Sequence, residues 1–160
     1  YRAIIESPEF WSPEVVATKT RTPFEFVVGA VRAIGALDEA QRPLATALEQ
    51  LGQPLYRCAP PTGYREDAAA WVSAGALVSR INFGLKLASG RVPGVEVRLP
   101  PKSTSVEAIA LGVLGRPASE QTLSIVRRAL SSDDELDERR GVEVSKVVGL
   151  LLGSPEFQKQ

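Results

Sequence analysis

Apolar residues recur along this chain at the spacing of one face of an α-helix. After Thr22-Pro23 they fall at Phe24, Val27, Val28, Val31 and Ile34, the i, i+3, i+4, i+7 stripe of an amphipathic helix. Leu44, Ala47, Leu48 and Leu51 give a second stripe, stopped by Gly52 and Pro54. Trp71, Ala74, Val78, Ile81, Leu85 and Ala88 give a third and longer one, ending near Gly90. A fourth runs through Val106, Ile109, Ala110, Val113 and Leu114, a fifth through Leu123, Val126 and Leu130. A sixth runs through Val144, Val147, Val148, Leu151 and Leu152 and closes at Gly153. The pattern predicts an all-α, irregular multi-helix domain of about six main helices, spanning residues 1–160 as one unit.

Start signals support the count. Thr22 can cap the first long helix, Pro23 fits its first position, and Glu25 completes a capping box. Thr104-x-x-Glu107 predicts a second box, with Gly115 as the stop. Ser-Pro-Glu, itself a helix-start code, occurs three times, at Ser7, Ser12 and Ser154. Two copies extend to S-P-E-F, each after an aliphatic pair, Ile4-Ile5 and Leu151-Leu152. Each predicts a helix end and a sharp restart, with Phe10 or Phe157 folding back onto the core. Capping explains all the letters of these motifs, and proline-directed phosphorylation is the competing explanation.

Two connections break the helical pattern. Residues 53–66 (Q-P-L-Y-R-C-A-P-P-T-G-Y-R-E) form a long Pro/aromatic loop, and loops of such length tend to be functional or disordered. Its two tyrosines, with Trp71 just beyond, argue against disorder. Residues 92–101 alternate like a strand at Val95, Val97 and Leu99, but no second strand-like run offers a partner. An extended crossover is therefore expected there.

Composition narrows the chemistry. Lys+Arg and Asp+Glu are equal at 19 each, which argues against a dedicated nucleic-acid binder or a polybasic membrane surface. No apolar run is long enough to span a bilayer. There is no histidine, which removes Ser-His-Asp and Cys-His systems and His-ligated zinc within this chain. The lone Cys58 makes no internal disulfide and no CxxC metal site. The charge run at 131–140 lacks the order of a calcium loop and reads as a solvated loop or helix end. No cofactor and no metal site is expected. The start at Tyr1, with no Met anywhere, suggests an excised or processed piece of a larger protein.

Three groups of side chains are candidate sites. Tyr56, Arg57, Tyr64, Arg65 and Trp71 could line a ligand-binding groove, with rings stacking on sugars or side chains and arginines pairing carboxylates or sulfates. The structural alternative is a Pro-rich loop pinned to the helices by its aromatics. Lys19 and Arg21 sit just before a helix start, where cations oppose the dipole unless an anion is bound. The alternative there is a salt bridge to an internal acid, such as one from 133–138. Arg80 and Asn82 lie within the longest helix as structural polar residues. Arg80 is expected half-buried, holding loop carbonyls such as those of the Pro-rich loop. Catalysis by this chain alone would have to use carboxylates such as Glu66 and Asp67.

Four stretches occur in a distinctive order. They are F-W-S-P-E-V-V-A-T-K-T-R-T-P-F-E-F-V-V-G-A-V-R-A-I-G-A (10–36), L-G-Q-P-L-Y-R-C-A-P-P-T-G-Y (51–64), W-V-S-A-G-A-L-V-S-R-I-N-F (71–83) and L-L-G-S-P-E-F-Q (151–158). Together they resemble the C-terminal part of the bacterial domain-of-unknown-function family 1800, over nearly the whole chain. The sharpest pieces are K-x-x-x-P-x-E-F, L-x-x-R-x-N-F and the terminal L-L-x-S-P-E-F-Q; the family's Trp or Tyr after P-x-G is Tyr64 here. The resemblance implies a larger, often exported bacterial protein, hence a periplasmic or extracellular setting. It also implies a neighbour-encoded partner, the sulfatase-like domain-of-unknown-function family 1501. It carries no established reaction and no catalytic residues.

The expected function is therefore that of a C-terminal structural or protein-interaction lobe, in contact with its own N-terminal part and with that partner. The alternative is one wall of a hydrolase-like or glycan-binding cleft formed by the 53–71 loop.

Overall fold

A computed structural model describes residues 1–12, 15, 17–37, 41–131 and 144–160 of the chain. Among them are seven α-helices: α1 (Arg2–Ile5), α2 (Pro23–Ile34), α3 (Gln41–Gln50), α4 (Ala74–Ala88), α5 (Val106–Leu114), α6 (Glu120–Ser131) and α7 (Val144–Gly153). Six of them have nine or more residues, and α1 is a single turn. Two short 3₁₀ turns lie at Pro8–Trp11 and Ala68–Ala70. The all-α expectation holds. The charge run beyond residue 131, and Pro13-Glu14 of the Ser12 triplet, lie outside the described residues.

Local chemistry sets the helix ends. At α2 the Thr22 hydroxyl accepts from the Glu25 amide at 3.3 Å, and the Glu25 carboxylate accepts from the Thr22 amide at 2.8 Å. This is the capping box expected from the sequence. At α5 the expectation slips by one residue. Ser105, not Thr104, is the cap, accepting from Ala108 N at 3.2 Å. Gly115 stops α5 at φ +70°, a left-handed conformation that favours glycine.

The spine of the fold is the α4–α7 pair. Glycines let these helices approach closely. A Cβ on Gly149 would lie 2.7 Å from a Leu85 methyl, and one on Gly153 would lie 2.9 Å from Ile81. α5 and α6 also lean on α7, and α2 covers the same core with Phe26, Val27, Ala30, Val31 and Ile34. Two stripes are rotated from expectation. Phe24 and Val28 face outward on α2, and Val78 is exposed on α4. The buried row of α4 is Arg80, Phe83, Gly84, Leu87 and Ala88, so it begins at a cation.

The expected crossover is partly a strand. Val95–Val97 (β2) pairs antiparallel with Gly35–Leu37 (β1), in register Gly35↔Val97 and Leu37↔Val95. Arg98 N extends the ladder to Ile34 O at 2.8 Å. The partner strand is only three residues long and runs directly off the end of α2. That is too short to show period-2 alternation.

The end of the chain closes the fold. Phe157 is buried, and its ring meets Phe26 edge-on at 5.9 Å. Backbone bonds tie Arg21 N to Gln158 O at 2.8 Å, and link Lys19 with Gln160 in both directions. S-P-E-F here is a capped turn and not a renewed helix: Ser154 Oγ accepts from Phe157 N at 3.3 Å.

Candidate functional site

The Pro/aromatic loop is fastened to itself. Tyr64 donates its hydroxyl to Pro54 O at 2.6 Å, and Trp71 donates its indole N–H to Arg65 O at 2.7 Å. The two rings lie 6.2 Å apart, Trp71 buried and Tyr64 half-buried. Arg65 grips Asp67 with two bonds, at 2.6 and 2.9 Å, and Arg57 reaches Glu49 on α3 at 2.7 Å. Gln53 Oε1 accepts from Phe24 N, one of the orphan donors of the α2 N-terminus, and so anchors the start of the loop. Tyr56 stands fully exposed at φ +60°, apart from the Tyr64–Trp71 pair. The structure thus brings Tyr64, Arg65 and Trp71 together around internal bonds, and leaves Tyr56 and Arg57 on the outside.

Lys19 and Arg21 part company. Lys19 Nζ pairs with Glu25 at 2.6 Å. Burial pushes the Glu25 carboxyl up. Hydrogen bonds from Lys19, from the Thr22 amide and hydroxyl and from Gln160 outweigh it and hold the group at about 2. An acid of α2 therefore answers Lys19; the 133–138 acids lie outside the described residues. Arg21 instead lies over the Phe157 ring, 4.4 Å from its centroid. Its Nε and Nη1 are buried without a hydrogen-bond partner, and burial depresses its pKa. Gly29 makes room for it, since a Cβ there would sit 3.0 Å from Arg21 Nη1.

Arg80 is more deeply placed than expected, at 1 % exposure. Its partner is not the Pro-rich loop. Nη1 donates to Gln158 Oε1 at 2.7 Å, and the guanidinium lies 5.3 Å from the Phe26 centroid. Gln158 in turn donates from Nε2 to Leu152 O at 3.1 Å. Nη2 has no partner, and burial depresses the arginine pKa. The result is a ladder: Arg21, Phe157, Phe26, Arg80. It fixes the terminal F-Q into the core.

Asn82, two residues on, points the other way. It lines a cleft of about 370 Å³ between α3 and α4, with Thr46, Gln50, Ser79 and Lys86 among its polar walls. The sequence offered a signal for this cleft that the stripes concealed. Ser79, Asn82, Phe83 and Lys86 share one face of α4, and Pro43, Thr46, Ala47 and Gln50 share one face of α3.

A different surface stands out at the N-terminus. No residue of α1 or of the Pro8–Trp11 turn is buried. Ile4, Ile5, Phe10 and Trp11 are 58, 52, 46 and 67 % exposed. The expectation that Phe10 folds onto the core is not met. The segment carries contacts of its own: Trp11 Nε1 donates to Ile5 O at 2.6 Å, and the Phe10 and Trp11 rings meet edge-on at 5.1 Å.

Among the described residues, no helix is long and apolar enough to cross a membrane, and no group of three or more Cys, Asp and Glu is placed to hold a metal ion. No curated protein and no solved structure matches the chain. The family model described as protein of unknown function (DUF1800) matches residues 1–159, and the chain belongs to that family.

Proposed function

We propose that this DUF1800 chain is a structural and protein-interaction lobe that docks through its N-terminal apolar face onto the rest of its own protein. The observation that carries this reading is the unburied cluster of Ile4, Ile5, Phe10 and Trp11. Apolar side chains grouped on one segment mark an interaction surface more often than chance exposure does. Aromatic anchors already in contact with their own segment lose less freedom on docking than unattached ones. The Pro/aromatic loop supports the same conclusion by contrast. Trp71 and Tyr64 already hold internal bonds, so they offer no pair of open rings for a sugar or peptide. The resemblance to larger exported bacterial proteins supports a periplasmic or extracellular setting for that docking.

The experiment compares acrylamide quenching of Trp11 in this chain and in the full-length protein, with Trp11→Phe isolating its share. A sharp fall in quenching in the full-length protein is the expected result. Equal quenching in both, or protection only when the sulfatase-like neighbour is added, overturns the intramolecular docking.

A further inference from the structure

The cleft between α3 and α4 is not explained by packing. α3 rests on α2, while α4 packs chiefly on α7, so the two helices meet across open space. Buried side chains form its floor: Ala47, Phe83 and Val92. Its walls are polar. Thr46, Gln50, Ser79, Asn82 and Lys86 line it, and none of them makes a side-chain hydrogen bond or ion pair among the described residues. Among the described residues, Lys86 is the one charged residue lining it, and no carboxylate lines it.

A concave site with an apolar floor and a few convergent polar groups is the usual form of a small-molecule site. The volume falls at the small end of that class. A single ammonium with two neutral amides suits one carboxylate and one neutral polar group. A phosphate would call for more donors or an arginine fork. We propose that this cleft binds a small carboxylate with an apolar body, its charge on Lys86, its neutral polar group on Asn82 and Gln50, and its apolar part over Phe83 and Val92. The cleft shares no residue with the N-terminal face, so the two proposals stand or fall separately.

The test is an amide-shift NMR titration of this chain with N-acetyl-L-leucine, taken to millimolar concentration, and with the neutral N-acetyl-L-leucinamide. Expected are saturable shifts at Thr46, Gln50, Ser79, Asn82 and Lys86. The amide should bind about tenfold more weakly than the acid, and Lys86→Gln should weaken the acid by a similar factor. Lys102→Gln, at an exposed loop lysine, should leave binding unchanged. Absence of saturable binding, equal binding of acid and amide, or shifts centred elsewhere overturns the proposal.

Discussion

The chain carries S-P-E-F twice, and the two copies share the same serine cap and have opposite fates. At both, the serine hydroxyl accepts from the phenylalanine amide at 3.3 Å. At the first, Phe10 stays exposed. At the second, Phe157 is buried against Phe26 and under Arg21. The second copy also lends Glu156 to α6, where its carboxylate accepts from the Ser119 amide at 3.0 Å and hydroxyl at 2.7 Å. Burial raises that carboxyl, but the hydrogen bonds from Thr122 and Ser119 outweigh it and hold it below its ordinary value. A short code therefore sets a turn. What the turn does depends on which surfaces the rest of the chain brings to it.

The largest expected difference between the copies is in the phenylalanines. Phe157→Ala should cost about 3–5 kcal/mol in denaturant unfolding, since it empties the middle of the Arg21–Arg80 ladder. Phe10→Ala should change stability by no more than about 0.5 kcal/mol. Comparable losses at both positions would erase the distinction.

Gln158 comes next. Gln158→Ala leaves the buried Arg80 without its acceptor and should cost about 2–3 kcal/mol. Arg80→Met combined with Gln158→Leu should recover most of that loss, because an apolar replacement removes the buried charge along with its partner. A double variant as unstable as Gln158→Ala would show that the arginine itself stabilises the fold.

Acid unfolding sharpens the comparison further. Glu25, bonded to Lys19 and Gln160, titrates at about 2 in the fold against an ordinary 4.5. Its folded value is depressed, so its contribution is present above about pH 5 and fades as pH falls toward 2. Glu25→Gln should lose about 1–2 kcal/mol at pH 7 and only a small remainder at pH 2, flattening the pH profile of stability. Glu6 near the N-terminus pairs with Arg2, but both are largely exposed. Glu6→Gln, which removes only this exposed pair, should change stability by no more than about 0.5 kcal/mol.

The smallest effect is in the caps. Ser154→Ala should cost about 1 kcal/mol, and Ser7→Ala should leave global unfolding unmoved. Thermal scans at one pH separate the two.

The helices were legible in the sequence because their signals are local. Thr22-Pro23-x-Glu25 and Gly115 act within one turn, and both appear as expected. Phase errors arose where packing partners decide the face. Val28 and Val78 look like core, yet Phe26 and Arg80 take the inner positions because Phe157 and Gln158 return from the far end of the chain. A buried arginine contradicts any hydrophobicity count, and only the distant amide and ring that receive it make sense of it. The β1–β2 pair was hidden for the same reason: three residues carry no period, and the partner lies some sixty positions away. Asn82, read in the sequence as a structural polar residue, lines the cleft; Lys86 and Gln50 share helix faces with other lining residues, but that pattern acquires meaning only once α3 and α4 are placed beside each other. In the Pro/aromatic loop the legible signals were Tyr64 and Trp71, and each donates to a backbone carbonyl within the same segment.

The contrast between the two S-P-E-F copies is tested most directly by amide hydrogen exchange on this chain and on the full-length protein. In the chain alone, the amides of Phe10 and Ser12 should exchange through local opening, while those of Phe157, Gln158 and Arg21 should exchange only with global unfolding. In the full-length protein, Phe10 and Ser12 should become strongly protected and the others should not change. Fast exchange at Phe157 and Gln158, or no added protection at Phe10 and Ser12, would contradict the assignment of one copy to the core and the other to docking.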